Sequence, residues 1–84
     1  MKFYIKHSMT GRLRVHMDMK HMSFKQADIL EYYIKNIETV TSVKVYEKTC
    51  DAVIEFKGDK AQIINELKHF TYSQVAVPED VLNS

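Results

Sequence analysis

Polar and apolar residues alternate from the start of the chain. In Lys2-Phe3-Tyr4-Ile5-Lys6-His7 the positions Phe3, Ile5 and His7 oppose Lys2, Tyr4 and Lys6, which is the period of a strand with one face in a core. After an interruption from Ser8 to Gly11 the alternation resumes, with Leu13, Val15 and Met17 on one side and Arg12, Arg14 and His16 on the other. The pattern predicts one strand, bent at Gly11 by a bulge or tight turn. From Ser23 the period changes. Ser23 with Gln26 three residues on makes a capping box, and Phe24, Ala27, Leu30, Ile34 and Ile37 mark one helical face. That helix is expected to end between Asn36 and Thr39.

Two short β-prone runs follow, Ser42 to Lys48 and Ala52 to Phe56, joined by Thr49-Cys50-Asp51 as a hairpin. Asp59 caps a second helix with Ala61, Ile64, Leu67 and Phe70 at helical spacing, and Val75 and Val77 predict a last strand stopped by Pro78. The order β, α, β, β, α, β predicts an α+β, ferredoxin-like βαββαβ fold: a four-stranded antiparallel sheet with two helices on one face. The other face would be open, with Tyr4, Arg12, Arg14, His16, Lys44 and Tyr46 on it. Residues 2–77 read as one domain and 78–84 as a polar tail or linker.

Composition narrows the partners. Twelve Lys and Arg against eleven Asp and Glu leave a formal charge of +1, too little for a long-range field that would draw in nucleic acid, so none is expected as a partner. The single cysteine, Cys50, has no internal disulfide partner, and no leader-like or membrane-spanning apolar run is present, so a cytosol-facing domain is expected. No pair of carboxylates and no Ser/His/Asp set suggests catalysis, and the chain is not read as an enzyme by itself.

The order of elements, the phrase Glu38-Thr39-Val40-Thr41-Ser42-Val43-Lys44-Val45 and the hairpin at Thr49-Cys50-Asp51 resemble the heavy-metal-associated fold. The opening with His7, Gly11, Arg12 and Arg14 is similar to the cysteine-free branch of that fold found at the cytosolic N-terminus of bacterial heavy-metal P-type ATPases. The family's usual pair of metal-binding cysteines is missing, and Thr39 stands where its members commonly carry glycine. The resemblance implies a regulatory or docking domain of an inner-membrane metal pump. It further implies that Arg12, Arg14 and His16 contact the pump's other domains while His7 and Gly11 shape the loop.

A second chemistry stands beside it. His7, Met9, His16, Met17, Met19, His21 and Met22 crowd into sixteen residues, and thioether with imidazole suits copper(I), imidazole alone zinc or nickel. The candidate ligands are His7, His16, Met17, Met19 and His21, and Met17, Met19 and His21 converge only if the chain curls beyond Met17. Core packing is the competing role for Met17 and Met19. Arg12 and Arg14 on one strand face suit a carboxylate or phosphate, or else pair with Glu47 or Glu55. The uncovered face and the edge strands also leave room for a homodimer.

Overall fold

In the computed structural model, which describes residues 1–75, four strands form one antiparallel sheet: β1 (Phe3–Met9), β2 (Arg12–Met17), β3 (Val40–Tyr46) and β4 (Asp51–Phe56), in the order β1-β2-β4-β3. Helix α1 (Phe24–Lys35) joins β2 to β3, and α2 (Lys60–His69) follows β4. A short 3-10 turn spans Tyr72–Gln74. The α+β, ferredoxin-like class expected from the pattern is what the chain adopts. No helix among the described residues is long and apolar enough to cross a membrane.

The opening differs from the expectation of a single bent strand. Met9 pairs with Arg12, so the chain reverses completely over Thr10 and Gly11 and β1 returns beside β2 as a hairpin. Gly11 has φ +76°, a left-handed conformation that glycine adopts without steric cost, and its carbonyl accepts the Phe56 N–H at 3.0 Å. Alternation on both sides of a short polar interruption is common to a bent strand and to a hairpin, so the period alone did not distinguish them. β1 thereby fills the sheet edge beside β2, the place expected for a strand at Val75 and Val77. Val75 has extended backbone but lies in no strand, and Val77 lies outside the described residues, as does the predicted tail at 78–84.

The helices seal one face of the sheet. Leu13, Val15 and Met17 of β2, Val45 of β3 and Ala52, Ile54 and Phe56 of β4 meet Ala27, Leu30 and Ile34 of α1 and Ile63 and Leu67 of α2 in one buried cluster. Each fully enclosed large aliphatic side chain contributes about 1.5–3 kcal/mol over its exposed state. The capping box is present as read, with the Gln26 N–H donating to Ser23 Oγ at 3.0 Å and the Ser23 N–H to Gln26 Oε1 at 2.9 Å. Asp59 caps α2 through the Ala61 N–H at 2.9 Å.

Two core assignments are corrected. Phe24, the first residue of α1, is 75% exposed and takes no part in the core. In α2 the buried side is set by Ile63, Leu67 and Phe70, leaving Ile64 partly covered and Ala61 in solvent. A second tie links the helices: the Tyr33 hydroxyl donates to Glu66 Oε2 at 2.8 Å and approaches the Glu66 carbonyl at 3.0 Å.

Candidate functional site

The helix-free face is built by register. Because β2 and β4 put Leu13, Val15, Ala52 and Ile54 into the core, alternation sends Arg12, Arg14, His16, Asp51, Val53 and Glu55 the other way. On β1 a bulge between Ile5 and His7 changes the count: Ile5 lies opposite Val15, His7 opposite Arg14, and Lys6 is the extra residue. His7, expected on the core side with Phe3 and Ile5, is thus moved to the side of Arg14.

Three rows cross the face. The first runs Tyr4, His16, Asp51, Tyr46; the second Lys6 with His7, then Arg14, Val53, Lys44; the third Met9, Arg12, Glu55, Ser42. Tyr4 stacks at a tilt on His16 with ring centroids 4.9 Å apart, and Lys44 Nζ stands 6.0 Å from the Tyr46 ring centroid.

Asp51 is the organising residue, and sequence reasoning assigned it only to the turn. It is fully buried although it lies on the face without helices. Lys6 Nζ donates to its Oδ2 at 3.0 Å, Arg14 Nε and Nη2 donate to the same oxygen at 3.2 and 3.0 Å, and His16 Nδ1 lies 2.7 Å from Oδ1. Burial by itself pushes the Asp51 carboxyl up, but the hydrogen bonds from His16, Lys6 and Arg14 prevail and hold it down at about 2. An ionised carboxylate only accepts, so the proton of the short His16 contact sits on Nδ1. The signal was in the alternation of Asp51, Val53 and Glu55 against Ala52, Ile54 and Phe56, which starts the strand one residue earlier than its apolar content suggests.

The other predicted site residues are dispersed. Arg12 is exposed and faces Glu55 in register, whereas Arg14 takes Asp51 in place of Glu47 or Glu55 as its partner. The chain does curl after Met17, since the Met19 N–H donates to the Met17 carbonyl at 2.9 Å. Yet Met17 and Met22 are enclosed in the core, Met19 is partly covered with the Tyr72 hydroxyl 3.7 Å from its sulfur, and His21 is exposed. His16 lies on the opposite sheet face from Met17. Among the described residues no three His, Cys, Asp or Glu side chains gather where one metal ion would be held.

Gly11 is positioned by the Phe56 N–H, and beside it Lys60 Nζ donates to Ser8 Oγ at 2.8 Å. Cys50 is buried with φ +59°, and burial first, then the charge of Asp51, pushes its thiol up, away from the reactive thiolate. With both Asp51 oxygens engaged, the face presents outward the remaining N–H donors of Lys6, Arg14, Arg12 and Lys44 together with the exposed Glu55 carboxylate. No family model matches the chain, no curated protein matches it, and no solved structure matches it.

Proposed function

We propose that this chain is a docking domain that uses its helix-free sheet face, and that it serves as the cytosolic N-terminal module of a heavy-metal-transporting P-type ATPase. The observation that carries the docking reading is the buried Asp51 that fixes Lys6, Arg14 and His16 on one uncovered surface. A buried charge is costly unless fully paired, so the arrangement favours a rigid display of basic groups. The pump assignment is supported by the resemblance of His7, Gly11, Arg12 and Arg14 to the cysteine-free heavy-metal-associated branch; of that set, Arg14 is one of the cations Asp51 holds. On this reading ATP hydrolysis and ion translocation belong to other domains, and the contact surface is the one formed by β2, β4 and the flanking strands.

The test places a photo-crosslinking amino acid at Val53 on the open face, or at Gln62 on the outer side of α2, within the full-length protein in its own membranes. Cross-links from Val53 to peptides of a pump's soluble domains are expected, with none from Gln62. Cross-links from Gln62 alone, or a gene without membrane-spanning segments and an aspartyl-phosphate motif, would overturn the assignment.

A further inference from the structure

We propose that the row formed by Lys6, Arg14, Val53 and Lys44 is a binding strip for an extended acidic segment of the docking partner, with carboxylates at its first and fifth positions and an apolar residue at its third. The inference rests on the docking reading and names the chemistry of its partner. Four full cations, Lys6, Arg12, Arg14 and Lys44, share this face with two carboxylates, Asp51 and Glu55, so an anionic surface complements it. Asp51 consumes only part of what the cations offer. Lys6 gives it one of three ammonium donors, and Arg14 contributes Nε and Nη2, leaving Nη1 free to receive a second carboxylate.

The spacing follows from where the protein's own negative charges lie. Asp51 and Glu55 both belong to β4, two residues to either side of Val53. A partner carboxylate above β4 would meet them, whereas a small apolar side chain can sit on half-exposed Val53 without charge repulsion. The partner's carboxylates are therefore directed sideways, one toward Arg14 and Lys6 and the other toward Lys44. Arg14 and Lys44 lie one strand to either side of Val53, two strand spacings or about 10 Å apart, and an extended peptide with its third residue over Val53 carries its first and fifth side chains about 7 Å to each side, within reach of both cations. A segment crossing the strands at right angles thus places acid, apolar and acid side chains on cation, Val53 and cation.

The same face argues against single-stranded nucleic acid as the occupant. Such strands stack bases on aromatic side chains, yet the central strands here present Arg12, Arg14, His16, Asp51, Val53 and Glu55, and both tyrosines sit on the edge strands. Glu55 would also repel a phosphate backbone.

The test titrates the 84-residue chain with a blocked peptide carrying glutamate at the first and fifth positions and leucine at the third. Controls are the same peptide with glutamines, one with the two glutamates adjacent, and an oligothymidylate. The glutamate peptide is expected to shift the backbone amide signals around Val53 and Arg14, and the glutamine version to bind about tenfold more weakly. Lys44→Gln, at an exposed position that leaves the fold intact, is expected to weaken the glutamate peptide about threefold. Equal binding of the glutamine or adjacent-glutamate peptide, tighter binding of the oligothymidylate, or no binding at all would overturn the strip. Those outcomes leave the cross-linking at Val53 untouched, whereas cross-links confined to Gln62 would remove the docking reading itself.

Discussion

Arg14 and Asp51 are diagonal neighbours across β2 and β4: Arg14 is in register with Val53, yet its Nε and Nη2 both reach Asp51 Oδ2, at 3.2 and 3.0 Å. The diagonal reach leaves Asp51 Oδ1 for His16, the residue directly opposite. One carboxylate therefore ties β1, β2 and β4 together through Lys6, Arg14 and His16. Asp51→Asn keeps the shape and removes the charge, and it is expected to lower unfolding stability by about 1–3 kcal/mol. Denaturant titration checks this, with a shifted midpoint and an unchanged slope as the expected result.

Acid should weaken the fold over a narrow range. The Asp51 carboxyl is held at about 2 in the folded chain against an ordinary 3.8. Its folded value is depressed, so its contribution is complete above about 3.8 and is lost as pH falls toward 2. Stability measured between pH 5 and pH 2 should fall more steeply in the parent chain than in Asp51→Asn. Parallel curves would show that the carboxylate is not the group responsible.

The methionines give a test of soft-metal binding. Met17 and Met22 are enclosed among Leu, Ile and Val side chains, so recruiting Met17 to an ion requires opening the core. Copper(I) titration against a competing chelator is expected to give no tight one-to-one complex that depends on Met17, Met19 and His21. Met17→Leu, which conserves volume, should cost less than about 1.5 kcal/mol. A tight complex abolished by Met17→Leu would instead establish a thioether site.

Helix α1 offers a paired comparison within one amphipathic pattern. Leu30 is fully buried and Phe24 is 75% exposed, although both fall at the apolar spacing. Leu30→Ala should cost about 2–5 kcal/mol, and Phe24→Ser should stay within about 0.5 kcal/mol of the parent. Thermal melts of the two variants separate the positions.

Between the helices, Tyr33→Phe removes the hydroxyl that donates to Glu66 and is expected to cost about 1 kcal/mol. The Tyr33 phenol is pushed up to about 12, by burial first and then by the hydrogen bond to Glu66. Its neutral form is thus favoured by folding, and the contribution disappears as pH rises from 10 toward 12. Tyr33→Phe should flatten the stability profile in that range.

Much of the framework could be read from the chain because it rests on local rules. The Ser23 and Gln26 capping box, the Asp59 cap and the alternation of Leu13, Val15 and Met17 depend on neighbours within a few residues, and each appears where it was expected. The face bearing Tyr4, Arg14, His16, Lys44 and Tyr46 was legible for the same reason, since period 2 decides sides once the core side is known. The hairpin at Thr10 and Gly11 was not, because alternation carries no information about chain direction. His7 was misplaced by the bulge at Lys6, which adds one residue to the count with no mark in the apolar pattern. Asp51 was hidden by its chemistry: an acidic residue beside a hairpin turn reads as a turn former, and only its three partners make burial affordable.

By itself, then, the amino-acid order determined an α+β chain with two amphipathic helices and a one-sided sheet, because periodicity and capping act over a few neighbouring residues. Which residue became the centre of the polar face was decided only on folding. Lys6, Arg14, His16 and Asp51 come from three strands, and Asp51 lies 45 residues from Lys6 in the chain. A buried carboxylate is stable only where several donors converge, and such convergence is a property of strand register, which no local pattern encodes.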